Sequence, residues 1–222
     1  MNQLLAIVAL AVIGGAVVVV ASRDTRTVLL ALAIMLVATP LVADPLASPL
    51  GLAARLVGAI LATYLLWVVA RDQGVGATIA SPTGGSRIGW PAEVLLAAGA
   101  AVVGFAAHGL GAPTDGPAVA SAAGFAVAAL AVAPVVTGRD VIRVGTGLLL
   151  LIDAALLVRG ALGGTPGDVE QLITAAMLIV LAGAVAALAA NARADGSGGY
   201  AFSDPGRARV RREPDAHPLD PS

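Results

Sequence analysis

Seven long apolar stretches constrain the fold of this chain more than any other feature. A helix rises about 1.5 Å per residue, so roughly 20 apolar residues cross the hydrocarbon core of a bilayer. Hydrophobic residues make up 58% of the chain and charged residues only 12%, which is too little polar surface for a soluble domain. The pattern predicts an all-α integral membrane protein with seven transmembrane helices. We place these helices at 4–21, 27–43, 51–70, 90–110, 117–136, 141–162 and 170–190.

The arginines predict how these helices are oriented. The loops after predicted helices 1, 3 and 5 and the tail after helix 7 carry arginine, whereas the open segments after helices 2, 4 and 6 carry none. Arginine is enriched on the cytoplasmic side of membrane proteins, so the N-terminus is expected outside and the C-terminal tail in the cytoplasm. The first helix lacks the basic n-region of a cleaved signal peptide. The cytoplasmic arginines are Arg23, Arg26, Arg71, Arg87, Arg139, Arg143, Arg193, Arg207, Arg209, Arg211 and Arg212.

A faint repeat suggests how the chain is organised. Arg23-Asp24-Thr25-Arg26 precedes helix 2, and Arg139-Asp140-Val141-Ile142-Arg143 precedes helix 6. Two explanations stay open. The chain contains two parallel three-helix blocks, or Arg-Asp simply suits a cytoplasmic helix start, where Asp caps the helix and Arg meets lipid headgroups. The corresponding parts are an N-terminal block at 1–71, a connector with linker helix 4 at 72–116, a C-terminal block at 117–190, and a tail at 191–222 that we expect to be disordered.

Composition excludes several classes of function. The chain has no cysteine, which rules out disulfides, thiolate metal sites and cysteine nucleophiles. The net charge is −1, with no basic patch for a nucleic acid. The motifs of P-loop, Rossmann and α/β-hydrolase enzymes are missing. We therefore identify no catalytic residue and no resident metal site in the sequence.

Asp153 is the residue that most suggests chemistry. It lies about twelve residues into predicted helix 6, which is on the order of 18 Å from the inner face at 1.5 Å per residue. An ionised Asp at that depth costs about 2.5–3.5 kcal/mol, so it should be protonated, paired or facing a wet cavity. One interpretation is a proton-relay acid, and the other is a neutral Asp that hydrogen-bonds to a neighbouring helix. The first is favoured because intramembrane acids are usually functional.

Two further charged residues are candidates for a proton relay. Arg55 lies near the outer end of helix 3, and the sequence slightly favours a guanidinium that snorkels outward. The alternative is that Arg55 reaches inward and pairs with Asp153. Glu93 follows Trp90-Pro91 at the start of helix 4, where an acid is typical of a helix start. Asp168, Glu170 and Gln171 are expected to be a cap and a solvated rim of helix 7.

The C-terminal half resembles a known family. RDVIRVGTGLLLLIDAALL at 139–157, the loop TPGDVEQ and the apolar helix ITAAMLIVLAGAVAALAA are similar to the K subunit of complex I and the C subunit of Mrp-type antiporters. The whole chain resembles hydrogenase-4 component E in length, helix number, the early SRDTR loop and the Arg-rich start of helix 6. The resemblance covers most of the chain by layout and about fifty residues by motif.

The resemblance implies a role and a location. Such subunits bind no cofactor and lie in the bacterial or archaeal cytoplasmic membrane beside antiporter-like subunits, where they contribute to a lateral proton path. This chain departs from the family at four positions, one of which is Arg55, because the basic residue of helix 3 is offset by roughly one turn. Leu149 stands where K-type subunits carry a relay Glu, with Asp153 one turn away on the same face. Ala176 and Leu181 stand where helix 7 would supply a second acid.

These observations predict a non-catalytic membrane subunit of a complex-I-related hydrogenase, dehydrogenase or antiporter assembly. Its partners would be the lipid bilayer and other membrane subunits. Two alternatives remain. A small transporter working alone would normally need several polar groups at the membrane midplane, and a membrane scaffold would need no ion path.

Overall fold

The computed structural model describes residues 3–22, 24–42, 48–71, 90–106, 118–138, 141–164 and 166–194. Within these ranges the chain is all-helical and contains no strand. A short 3₁₀ helix, Thr39–Val42, continues the second α-helix. The α-helices are α1 (Gln3–Ala21), α2 (Thr25–Ala38), α3 (Pro49–Arg71), α4 (Trp90–Ala106), α5 (Ala118–Thr137), α6 (Val141–Gly163) and α7 (Asp168–Ala194).

The described helices have the length and surface of a multi-pass membrane protein. Five of them are long and apolar enough to cross a membrane, namely α2 with its 3₁₀ extension, α3, α5, α6 and α7. The described apolar parts of α1 and α4 are shorter, at Leu5–Ala21 and Leu95–Ala106. Large apolar side chains also cover the outside of the bundle, such as Leu95 at 72% exposed and Val180 at 70%. Surfaces of this kind are stable in lipid and not in water.

The helix boundaries follow from local chemistry. The Asp24 carboxylate caps α2 by accepting hydrogen bonds from the Thr27 hydroxyl at 2.7 Å and the Thr27 backbone N–H at 3.1 Å. Both bonds lower the pKa of Asp24, and the bond from the Thr27 hydroxyl has the larger effect. The cap is therefore intact above the ordinary pKa of Asp and is lost as the pH falls through the lowered value. At the end of α6, Gly164 adopts φ +73°, the left-handed conformation that glycine tolerates best.

Small residues bring the helices into close contact. A Cβ at Gly145 would lie 2.5 Å from the Val185 side chain of α7, and one at Gly147 would lie 2.8 Å from Val135 of α5. A Cβ at Gly58 would lie 2.9 Å from Ala175. In lipid, burial of apolar surface does not drive helices together, so van der Waals contacts of this kind stabilise their association.

Helices α3 and α7 lie side by side and start at the same end of the bundle. The Ser48 hydroxyl before α3 is hydrogen-bonded to the Asp168 carboxylate at the start of α7. We call this end the Ser48–Asp168 end. The α3–α7 and α5–α6 contacts are the most extensive between helices. The predicted N-terminal and C-terminal blocks therefore share an interface, and the duplication itself stays a prediction.

The observed boundaries differ most from the predicted ones at the ends of α2 and α7. Helix α2 ends at Ala38 because Pro40, which has no backbone N–H, follows in the 3₁₀ turn. Helix α7 continues to Ala194, so the first residues of the predicted tail are helical. The rest of that tail and the connector at 72–89 lie outside the described residues.

We predict that Gly104→Ala destabilises the bundle, because a Cβ at position 104 would lie 2.4 Å from the Phe125 carbonyl oxygen. Overpacking of this kind costs about 1–3 kcal/mol. Gly99→Ala on the same helix is the control, since its Cβ would meet no atom within 4 Å. Thermal unfolding in detergent should show a lower midpoint for the first variant and an unchanged or higher one for the second. Equal midpoints would contradict this packing of α4 on α5.

Candidate functional site

The structure brings Arg55 and Asp153 together inside the bundle. Arg55 Nη2 donates to Asp153 Oδ1 at 2.9 Å, linking α3 to α6. The two side chains are 3% and 0% exposed, respectively. Arg55 is therefore not a snorkelling residue, and the outward orientation that the sequence favoured is wrong. The hypothesised intramembrane pair is present.

Thr39 completes the cluster from a third helix. Its hydroxyl lies 2.5 Å from Asp153 Oδ2 and 2.9 Å from the Met35 carbonyl oxygen. Both carboxylate oxygens of Asp153 thus have a partner, one from α3 and one from the end of α2. We call Thr39, Arg55 and Asp153 the buried polar cluster.

The end of α2 places Thr39 where it can reach Asp153. The backbone N–H of Thr39 bonds back to the Met35 carbonyl, and the chain then tightens into the 3₁₀ turn through the buried Pro40. This turn packs against α6. From the sequence alone, Thr39-Pro40 indicates only a break in the helix, because proline has no backbone N–H. A threonine at the same membrane depth as a buried acid was the signal that could have identified Thr39.

Helix α3 places Arg55 on its buried stripe. Gly51 lies four residues before Arg55 and Gly58 three residues after it, which puts all three on one helix face. That face packs on α7, since a Cβ at Gly51 would lie 3.1 Å from Gln171 Cγ and one at Gly58 would meet Ala175. The glycines let α3 approach α7 closely, and the Arg55 side chain extends from between them to α6.

The electrostatics of the cluster depend on complete pairing. An arginine side chain remains protonated in proteins, so a buried guanidinium needs an acid or other acceptors. Asp153 supplies the charge that balances it. The Arg55 Nη1 atom is also buried, and it has no hydrogen-bond partner in the structure. The guanidinium therefore keeps an unused donor beside the ion pair.

The Thr39 hydroxyl can serve two protonation states of Asp153. A hydroxyl carries one hydrogen, so it donates to one acceptor at a time. When Asp153 is ionised, Thr39 can donate to Oδ2. When Asp153 carries a proton on Oδ2, that proton can be donated to Thr39, whose own hydrogen then bonds to the Met35 carbonyl. Each state leaves the Asp153–Thr39 contact intact.

Of the three charges predicted at the start of helix 6, the structure describes Arg143. Its Nη2 donates to the Val20 carbonyl oxygen at 3.1 Å, at the end of α1. A cation here satisfies a helix C-terminus. Arg139, Asp140 and the Glu93 side chain lie outside the described residues, so their predicted roles stay predictions.

The start of α7 bears out part of its predicted role. Glu170 pairs with Arg159 of α6 at 3.2 Å, with both side chains at least one-third exposed, and Asp168 is exposed. These two acids form a solvated rim. Gln171 differs, because it is only 7% exposed and faces α3. Within the part of the chain that is described, no three His, Cys, Asp or Glu residues are grouped to hold a metal ion.

Comparisons with known proteins identify no relative, so the site is interpreted from its geometry alone. A scan against protein-family models and searches of curated proteins and of solved structures find no match to this chain.

We predict that removing either member of the ion pair destabilises the bundle and that removing both restores most of the loss. Breaking a buried pair costs about 3–5 kcal/mol, because the remaining charge is left uncompensated. Asp153→Asn should be worse than Arg55→Met, since a lone carboxyl can take up a proton and a guanidinium cannot lose one. The double variant should therefore unfold at a higher temperature in detergent than Asp153→Asn.

The exposed pair provides the control for this cycle. Arg159→Ala and Glu170→Ala should each cost about 1 kcal/mol or less, as is usual for exposed pairs. Additive losses in the Arg55→Met/Asp153→Asn double variant would contradict a direct interaction between Arg55 and Asp153.

Proposed function

We propose that this chain is a non-catalytic membrane subunit of a complex-I-related assembly, such as a group 4 hydrogenase, an NADH dehydrogenase-like complex or an Mrp-type antiporter. In this role it packs beside antiporter-like subunits, and Asp153 takes part in proton translocation. The observation that carries the proposal is the buried polar cluster, a titratable acid held between three helices of a membrane bundle.

The geometry of the cluster supports a proton-exchanging role for Asp153. An acid that must gain and lose a proton needs stable partners in both states, since an unsatisfied buried polar group costs about 1–3 kcal/mol. Thr39 provides a partner in either state. Arg55 stabilises the ionised form through its contact at 2.9 Å. Movement of a neighbouring charge toward or away from Arg55 would shift the balance between the two forms.

The described core contains few titratable residues, which supports a subunit of a larger assembly over a transporter that works alone. Of the buried polar residues in the described ranges, only Arg55 and Asp153 can carry a charge. A single acid can hold a proton but cannot pass it across a membrane. The remaining titratable groups of a continuous path would come from partner subunits. The small-residue contacts and the resemblance at helices 6 and 7 agree with such a component.

We further propose seven crossings with the N-terminus outside and the C-terminus in the cytoplasm. In this arrangement the Ser48–Asp168 end faces outward. The opposite end of α3 carries Tyr64 and Trp67, whose ring centroids lie 6.2 Å apart, and Arg71, which lies 5.4 Å from the Trp67 ring centroid. Aromatic rings beside a cation are typical of a membrane–water interface, and the arginine favours the cytoplasmic side.

A scaffold is the second candidate, and one observation favours it. Both carboxylate oxygens of Asp153 have hydrogen-bond partners within the same chain. A purely structural link that holds the helices together would require the same arrangement. The two functions differ in whether Asp153 must change its protonation state.

We predict that Asp153→Asn abolishes or strongly reduces ion translocation by the assembly, because the amide cannot exchange a proton. Co-purification of partner subunits measures assembly, and proton uptake into membrane vesicles measures translocation. If Asp153→Asn fails to assemble, Arg55→Met/Asp153→Asn provides the same test without an unpaired guanidinium. Glu170→Gln is the control and should leave translocation unchanged.

Retained assembly with translocation at the native rate would refute the relay and leave the scaffold. A chain that purifies alone and transports ions by itself would instead support the independent transporter. Neighbouring genes are an inexpensive first observation, since antiporter-like subunits alongside a nickel–iron or quinone-linked module would support the proposed assembly.

A further inference from the structure

A line of polar groups leads from the Ser48–Asp168 end of the bundle toward the buried polar cluster. At the surface, the Ser48 hydroxyl is hydrogen-bonded to Asp168, and Ser48 Oγ also accepts from the Gly51 backbone N–H at 3.0 Å. One turn deeper, Gln171 of α7 lies against Gly51. Thr174 follows three residues later and is 5% exposed. These polar residues mark the outer part of the α3–α7 contact.

The polar groups stop at the depth of Arg55. The α3–α7 contact passes from Gly51 beside Gln171 to Gly58 beside Ala175, and Arg55 lies between the two glycines. Deeper along α7, every buried residue is apolar, namely Ala175, Leu178, Ala182, Val185, Ala186 and Ala189. The buried polar residues of α7 therefore end at Thr174, beside the stretch of α3 that carries Arg55.

Arg55 has a buried N–H donor that could bind a water molecule arriving along these polar residues. Arg55 is 3% exposed, and its Nη1 atom is buried without a hydrogen-bond partner. Buried polar groups are nearly always satisfied by protein or by ordered water, and buried waters typically bridge about three such groups. The Thr174 hydroxyl donates to the Glu170 carbonyl at 2.8 Å, which leaves its oxygen free to accept from water.

We propose that water enters the bundle along the α3–α7 contact from the Ser48–Asp168 end and reaches Arg55 Nη1. The inference rests on the proposed function in one respect, since the path then connects the Asp153 relay to one side of the membrane. Its ligand is water, and Gln171, Thr174 and Arg55 are its polar lining. The apolar core beyond Arg55 closes the path toward the opposite side.

The absence of cysteine from the chain allows a direct test with single cysteines. Thr174→Cys and Gln171→Cys are the reporters, and a small anionic methanethiosulfonate that does not cross membranes is the probe. The full chain is produced with its assembly in intact spheroplasts, and the probe is added outside. Only a thiolate in contact with water reacts, and each unit by which burial raises a thiol pKa slows labelling about tenfold.

Two positions serve as matched controls. Leu178→Cys lies one turn deeper than Thr174 on the buried side of α7, and Val180→Cys lies on the outer face that is 70% exposed in the bundle and is expected to contact lipid. We expect Gln171→Cys and Thr174→Cys to react at least about tenfold faster than both controls. If Thr174→Cys does not accumulate in the membrane, Gln171→Cys decides the comparison. Reporter rates equal to the control rates would overturn the path.

The labelling rates test the water path, and translocation in Asp153→Asn tests the relay, so the two proposals can fail independently. Rapid labelling together with normal translocation in Asp153→Asn would keep the water path and refute the relay. Lost translocation in Asp153→Asn with no labelling at position 171 or 174 would refute the path and keep the relay.

Discussion

The ion pair between Arg55 and Asp153 is the interaction on which the interior of this bundle depends. Neither charge is tolerated alone in an apolar bundle, because removing one partner leaves the other charge buried and uncompensated. The pair lies 2.9 Å apart and is almost completely buried, so it fixes the position of α3 relative to α6. Thr39 adds the end of α2 to the same point. Three helices thus depend on one carboxyl group.

Close packing makes this convergence possible. Glycines at 51 and 58 bring α3 against α7, and glycines at 145 and 147 fit α6 between α7 and α5. In lipid, such contacts supply the association energy that hydrophobic burial supplies in water. The same arrangement leaves apolar side chains on the outside of the bundle, where lipid or partner subunits can cover them. Among the described residues Asp153 is the one buried acid, and the largely apolar exterior agrees with the proposal that the chain acts within a larger assembly.

Much of the fold could be predicted from hydropathy, because apolar length and helix-breaking residues determine where membrane helices begin and end. All seven predicted helices have a counterpart among the described helices, whereas the number that cross the membrane and the sidedness rest on the arginine pattern. The pairing of Arg55 with Asp153 was foreseen only as an alternative to snorkelling, since rotation of α3 about its axis cannot be read from its composition. The role of Thr39 was missed because it depends on a contact between residues 114 positions apart.

The proposed relay requires that Asp153 exchanges a proton while it remains within its hydrogen-bonded cluster. Infrared difference spectroscopy of the membrane-embedded assembly, recorded between resting and turnover states, measures this exchange through the C=O stretch of a protonated carboxyl group. The account predicts a band that changes between the two states, disappears in Asp153→Asn, and changes frequency in Thr39→Val because its hydrogen-bond partner is lost. The same difference spectrum in the native assembly and in Asp153→Asn would contradict the account.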